Sequence, residues 1–303
     1  MKQTFYSNGK LLITGEYAVL NGAKALALPT KFGQDLTVEP GINAEISWNS
    51  FDSDGSLWFE QVIPFTAIIQ KEQIENESLR NTLIAILHEA YLINPDFLIT
   101  SAGYIVTTQL TFSRFWGLGT SSTLINNIAQ WAKVDAFRLL QNSFGGSGYD
   151  IACAQHPTPI LYQLKNGKPK VEEIRFEPQC SKNLYFVYLN KKQNSRTAME
   201  QYFKKKNNQP QLLIDVDQIT TTIVSHSDFE TLTSELEKHE RCLSKVLEIP
   251  TVKESLFSDF KGTIKSLGAW GGDFVLAVSR ENPTAYFSSK GFETVIPYSK
   301  MIL

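Results

Sequence analysis

Gly117-Leu118-Gly119-Thr120-Ser121-Ser122 runs without a break into Thr123-Leu124-Ile125-Asn126-Asn127-Ile128-Ala129-Gln130-Trp131-Ala132. Leu124, Ile125, Ile128, Ala129, Trp131 and Ala132 recur at helical spacing, which predicts a helix over about 121–132 entered from a glycine loop. Open backbone N–H groups and the positive end of the helix dipole make such a junction an anion site, most often for phosphate. Ser121 and Ser122 are placed to cap the helix, and a serine at such an entrance can also hold Mg²⁺.

Two further glycine-punctuated stretches lie far away in sequence: Gly9-Lys10-Leu11-Leu12-Ile13-Thr14-Gly15-Glu16-Tyr17, and Gly268-Ala269-Trp270-Gly271-Gly272-Asp273. The common phosphate-loop signatures are absent. No G-x-x-x-x-G-K-[ST] occurs, and Gly117-Leu118-Gly119 lacks the third glycine of a dinucleotide fingerprint.

Around these stretches the chain reads as an alternation of strands and helices. Residues 1–40 read as short strands and turns. Residues 36–48 and 57–63 read as strands around an Asp52-Ser53-Asp54-Gly55 turn, 80–93 as a helix, and 102–112 as a strand. Helical stretches follow over 134–142 and from near Gly148 to before Pro157. An Asn166-Gly167 turn between two strand-like runs is a hairpin signal. Leu184–Leu189 reads as a buried strand, 195–248 as mostly helical, and 274–278 and 292–296 as the last strands. We place a domain boundary near 180, giving domains 1–180 and 181–303.

At 303 residues with 42% hydrophobic content, the chain has a sizeable core. A formal net charge of −2 gives no footprint for bulk nucleic acid or an anionic membrane. No apolar run approaches the roughly 20 residues of a membrane span, and residues 1–7 lack the apolar region of a signal peptide. Cys153, Cys180 and Cys242 form no disulfide framework or zinc pattern, so a reducing cytoplasm is the expected location. His88, His156, His226 and His239 show no metal-ligand spacing, and His88, in an apolar helical stretch, reads as structural.

The three stretches, in this order, resemble the motifs of the GHMP kinase superfamily. Gly9–Leu20 is similar to the G-K-x-x-x-x-G-E-Y-A-V-L form of phosphomevalonate kinases, Gly117–Ser122 to the G-L-G-S-S phosphate loop, and Gly268–Asp273 to the C-terminal glycine motif. Gly146-Ser147-Gly148-Tyr149-Asp150-Ile151-Ala152 resembles the segment that carries the catalytic aspartate, and its G-Y-D-I-A string names a subgroup. Trp270 stands where the family has a small residue, a departure that would narrow the pocket.

The resemblance implies an α+β, two-domain fold, with an N-terminal ribosomal-protein-S5-like domain and a C-terminal ferredoxin-like domain. It implies an ATP- and Mg²⁺-dependent kinase that moves the γ-phosphate to a small anionic acceptor such as mevalonate or phosphomevalonate. The alternatives are a diphosphomevalonate-type decarboxylase and a non-catalytic nucleotide- or metabolite-binding relative. It further implies that Gly117, Leu118, Gly119, Thr120, Ser121 and Ser122 bind the phosphates, with Ser121 on Mg²⁺. Asp150 would take the acceptor's proton, although an aspartate there also reads as a helix cap, and Lys10 would stabilise the transferring group. Glu16, Tyr17, Arg196, Gly271 and Gly272 are the substrate-binding candidates, and Arg114 with Lys191 and Lys192 are further basic residues near the loops. A small-molecule substrate, no nucleic acid, no membrane and a monomer or homodimer complete the expectation.

Overall fold

The computed structural model describes residues 1–191, 202–203, 209–268, 270 and 272–303. The strands are β1 (Gln3–Thr14), β2 (Ala25–Pro40), β3 (Glu45–Phe51), β4 (Leu57–Pro64), β5 (Tyr104–Leu110), β6 (Ile160–Lys165), β7 (Lys168–Glu173), β8 (Leu184–Tyr188), β9 (Thr263–Leu267), β10 (Phe274–Val278) and β11 (Val295–Pro297). The helices are α1 (Phe65–Ile69), α2 (Ser78–Ile93), α3 (Asp96–Ile99), α4 (Thr120–Ala132), α5 (Ala136–Ser143), α6 (Tyr149–Gln155), α7 (Gln209–Ser225), α8 (Phe229–Leu247), α9 (Val252–Leu256), α10 (Thr284–Ser289) and α11 (Tyr298–Met301). Among the described residues, no helix is long and apolar enough to cross a membrane.

The chain divides into two compact units that interleave in sequence. One holds residues 1–9, 32–114 and 118–155; the other holds 10–31, 115–117 and 156–303. The units interleave because strand pairing overrides sequence order: Ala25–Ala27 of β2 pair with Ile160–Tyr162 of β6, so early and late residues share one unit.

In the first unit, β5 pairs antiparallel with the C-terminal half of β2 and parallel with β3, and β4 closes on β3. One face is covered by α2, α4 and α5, whose Leu83, Leu87, Ile125, Ile128 and Leu139 pack with Leu36, Trp48 and Val106 of the strands. In the second unit, β7 pairs with β6 through the Asn166-Gly167 turn, both turn residues being left-handed (φ 53° and 73°) as the hairpin signal demands. A separate four-stranded antiparallel sheet, ordered β11-β8-β10-β9, is built from residues within 181–303.

Two readings of the sequence are corrected, and one strand, β9, had no reading. The opening residues form two long strands rather than short ones. Gly33 lies inside β2, where a side chain would strike Ser7 O at 2.3 Å; its bareness lets the chain of β1 lie against it. The run 36–48 is two strands, parted by a turn in which Asn43 and Ala44 are left-handed. The strand β9 has no apolar signature, because Lys265 and Ser266 are buried in it beside acidic partners.

The glycine-loop helix α4 is buried on more than its apolar stripe. Ser7 Oγ donates to Asn127 Oδ1 (2.7 Å), and Asn127 Nδ2 donates to Gln34 O (2.9 Å). Asn126 Nδ2 donates to Ser7 Oγ (2.8 Å), and Gln155 Nε2 donates to Asn126 Oδ1 (3.0 Å). These bonds tie α4 to β1, β2 and α6 and make the helix position specific, since each buried amide needs its partner. Asn127→Ala should therefore lower the unfolding free energy by about 2–3 kcal/mol by orphaning Ser7 and the Gln34 carbonyl. Urea unfolding checks this, and a loss below about 0.5 kcal/mol would show that the network carries little stability.

Candidate active site

Within the first unit, α4 begins at Gly119, whose left-handed backbone (φ 98°) serves as the N-cap without any side-chain cap. The expected serine caps are thus not formed. Ser122 Oγ turns back to donate to Gly119 O (2.8 Å), and Thr123 Oγ1 donates to Gln34 Oε1 (2.7 Å). Gly119 has no side chain to cap the first turn, the arrangement an anion needs. Leu118 is fully buried and anchors the loop, whereas Ser121 is exposed and its hydroxyl makes no hydrogen bond among the described residues. A cavity of about 100 Å³ opens beside Thr120 and Ser121, walled by Trp48, Trp58, Phe59 and Phe144. The indole N–H of Trp58 is buried and unpartnered among the described residues.

Helix α6 packs on α4 and carries Asp150 in its first turn. Asp150 is half-buried and its Oδ1 accepts from the N–H of Ile151 (3.1 Å). Arg114 is committed elsewhere: its backbone N–H donates to Asp52 Oδ1 (3.1 Å), its Nε lies 3.7 Å from Asp52 Oδ2, and its guanidinium stands 5.5 Å from the Trp58 ring centre.

Within the second unit, all three glycine stretches meet at one residue. Lys10 Nζ donates to Gly117 O (2.9 Å). The Asp273 carboxylate fills the space a side chain at Gly117 would take, since a Cβ built there would lie 2.3 Å from Oδ2. A Cβ built on Gly268 would lie 3.9 Å from the same oxygen. The ground under this meeting point is firm. Asp273, left-handed at φ 53°, gives its N–H to Lys191 O (2.7 Å) and takes the N–H of Leu189 (2.8 Å). Tyr188 Oη donates to Phe115 O (3.2 Å), and the Trp116 ring packs edge-on to Phe274. Burial, then the charge of Asp273, pushes the Tyr188 phenol up.

The other candidates stand as follows. Gly272 is buried. Arg196, Lys192 and Gly271 lie outside the described residues. The Trp270 side chain is turned inward, packing with Tyr17, Tyr202 and Leu243 rather than narrowing a pocket. Its backbone N–H donates to Tyr17 Oη (2.8 Å), so Tyr17 ties the first glycine stretch to the third.

Mg²⁺ is a hard cation that takes few protein oxygens and completes its shell with water and phosphate. The exposed hydroxyl of Ser121 fits that role. No group of three or more His, Cys, Asp or Glu among the described residues forms an all-protein metal cage.

No family model matches the chain, and no curated protein matches it by sequence. Solved structures do match. Mevalonate kinase from Methanococcus jannaschii superposes with a TM-score of 0.72 at 16% identity, covering 97% of this chain and 96% of that one. The chain has the GHMP-kinase fold. Phosphomevalonate kinase from Streptococcus pneumoniae, in complex with phosphomevalonate and AMPPNP, gives 0.67 at 16% identity, covering 97% and 99%. Galactokinase from Lactococcus lactis, complexed with galactose, gives 0.69 at 12% identity, covering 95% and 88%.

Sequence reading missed a buried charge cluster in the second unit of this GHMP-kinase fold. Lys265, wholly buried, donates through Nζ to Glu16 Oε1 (2.6 Å) and Ser266 O and lies 3.3 Å from Glu240 Oε1. Ser266 donates to both oxygens of Glu240 (3.1 Å each). His239 Nε2 accepts from Gly15 N–H (3.0 Å) and stands 3.4 Å from Glu16 Oε2. Burial, opposed by Lys265, pushes the Glu16 carboxyl up to about 7. Burial and then Lys265 hold the His239 imidazole well below its usual range, and burial raises the Glu240 carboxyl. A raised folded-state carboxyl contributes stability that is fully present below its unfolded value of 4.5 and is lost as pH rises through about 7. His239, held neutral, acts with the opposite sign: its contribution is present above 6.5 and lost as pH falls. The unfolding free energy of the wild type relative to Glu16→Gln should therefore decline as pH rises from about 5 to 8. Denaturant titrations across that range check it, and a flat difference would assign the titration elsewhere.

Proposed function

We propose that this chain is an ATP- and Mg²⁺-dependent small-molecule kinase that transfers the γ-phosphate to the hydroxyl of a small anionic acceptor of the mevalonate or phosphomevalonate class. The observation that carries this reading is the meeting of Lys10, Gly117 and Asp273 within one unit. Three stretches separated by more than a hundred residues have no packing reason to share a glycine, but they have a functional one if that glycine opens a phosphate loop. Support comes from the uncapped start of α4 and from the fold shared with the three kinases above.

Phosphoryl transfer asks a protein mainly to position the reactants and to balance charge. The backbone N–H groups of Gly117–Ser122 bind the phosphates. The Ser121 hydroxyl would hold Mg²⁺, which would neutralise phosphate charge. Asp150, through its carboxylate, receives the proton of the attacking hydroxyl. Lys10 offers a fixed ammonium to the developing charge on the transferring group. Glu16 and Tyr17 act from behind, holding the turn that follows the Lys10 strand. The anionic acceptor class rests on the resemblance to phosphomevalonate kinases and on Lys191, Lys192 and Arg196 after β8, since Arg114 is already paired with Asp52.

Asp150→Asn should lower kcat by about 10²–10⁴-fold while leaving ATP affinity within about twofold. Near-normal turnover would reduce Asp150 to a helix-start residue. Lys10→Ala should likewise lower kcat, by about 10²-fold. The acceptor is tested by ADP release against mevalonate, phosphomevalonate, homoserine and galactose. Turnover should appear with one of the first two, and efficient use of galactose alone would overturn the acceptor class.

A further inference from the structure

The buried charge cluster of the second unit holds two side-chain atoms without a hydrogen-bond partner among the described residues, Glu16 Oε2 and His239 Nδ1. Both follow from one contact. His239 Nε2 accepts the Gly15 N–H (3.0 Å), so the single proton of the neutral ring sits on Nδ1. Glu16 Oε2 then lies 3.4 Å from a nitrogen that offers it only a lone pair. As a carboxylate, Glu16 would face one buried acceptor with another.

The charge count points the same way. Lys265 supplies one positive charge, and ionised Glu16 and Glu240 would supply two negative ones. One added proton brings this buried set to neutrality, which burial favours. The donors decide which carboxyl carries it. Glu240 has a donor for each oxygen, the N–H and the Oγ–H of Ser266 (3.1 Å each), with Lys265 3.3 Å away. Glu16 has Lys265 on Oε1 and no donor on Oε2. Helix α7, packed on α8, brings Thr220 to Thr14 (2.8 Å) and Asp217 to the Lys24 N–H (2.6 Å), and its Asp215 stands by Cys242. Tyr17, next in the chain, keeps its phenol protonated, burial pushing it up to about 12.

Glu16 also opens a strained turn. Ala18 N–H donates to Glu16 O (2.6 Å) across Tyr17, whose φ of 59° and ψ of −47° make a γ-turn of the rare hand. Three bonds hold it: Gly15 to His239, Lys265 to Glu16, and Trp270 N–H to the Tyr17 phenol. We propose that Glu16 is kept as the neutral acid, its Oε2–H sharing the His239 Nε2 lone pair with the Gly15 N–H, and that this proton is the catch on the Tyr17 turn. When the proton leaves for water, the cluster holds one buried negative charge in excess and the strained turn opens. Burial, the largest influence on the Glu16 carboxyl, pushes it up to about 7, so the catch works in the neutral range.

The test needs no turnover. In protein labelled with ¹³C at its glutamate carboxyls, the Glu16 resonance, assigned through bonds, should keep its neutral-acid position in mild acid and titrate at about pH 7. By ¹⁵N NMR, His239 should remain a neutral imidazole with its proton on Nδ1. Above the midpoint, protection of the Gly15, Ala18 and Trp270 amides from hydrogen exchange, corrected for base catalysis, should fall about tenfold per pH unit, because the open state has an ordinary carboxyl. Glu16→Gln, neutral and of the same shape, should keep these amides protected at every pH. A Glu16 carboxyl titrating below about pH 5, or an imidazolium at His239, would overturn the placement of the proton. Wild-type protection that stays level from about pH 6 to 9 would overturn the release with no variant needed. So would a Glu16→Gln protein whose protection falls as the wild type's does.

Discussion

Everything at the candidate site depends on the absence of a side chain at Gly117. With φ at 66° and a carboxylate in the place of a Cβ, this position accepts no other residue without displacing Asp273. Displacing Asp273 would in turn disturb the strand end at Leu189 and Lys191, to which its backbone is bonded on both sides. The carbonyl of the same residue fixes Lys10. One missing methyl group thus lets three distant pieces of chain meet.

Behind this meeting point lies a second constraint, of the opposite kind. Burying Lys265 with Glu16, Glu240 and His239 is expensive in desolvation, and well-packed apolar residues of similar size often do as well for stability. What the ionic arrangement supplies is uniqueness. Lys265 has defined acceptors on the Gly15–Tyr17 turn and on α8, and no apolar substitute would fix the direction of that turn. Tyr17 completes the tie by accepting from the backbone of Trp270. The strand bearing Lys10 and the loop bearing Asp273 are both held to this interior.

Much of this was legible from sequence, and the limits have physical causes. Helix α4 announced itself because its apolar residues keep helical spacing, and the β6–β7 hairpin did so because Asn166-Gly167 satisfies a turn that few pairs can. Gly117 could be named because glycine beside a helix start has few other uses, and Lys10 because its stretch resembles a known motif. Lys265, Glu240 and His239 could not. A lysine in a five-residue strand and a histidine and glutamate on a charged helix look like solvated surface until the fold faces them inward. Asn126 and Asn127 were hidden for the same reason: period-based reading credits apolar residues to the core and assigns amides to water. Asp273 had a faint signal, an acid straight after two glycines, but only its neighbour in space gives it meaning.

The interleaving of the two units has a consequence for how the protein is made. Ala25–Ala27 leave the ribosome early, but their partners Ile160–Tyr162 lie 137 residues further along (162 − 25). At synthesis rates of about 5–20 residues per second, that half of β2 waits roughly 7–27 s with only β1 beside it and the edge that takes β6 unclaimed. Residues 1–9, 32–114 and 118–155 are complete by position 155, whereas Lys10–Lys31, in which the end of β1 meets the start of β2, has its β6 partner still to come. The nascent chain thus carries, for much of its synthesis, a apolar segment whose side chains in the finished protein are wholly hidden: Ala25, Leu26, Ala27 and Leu28.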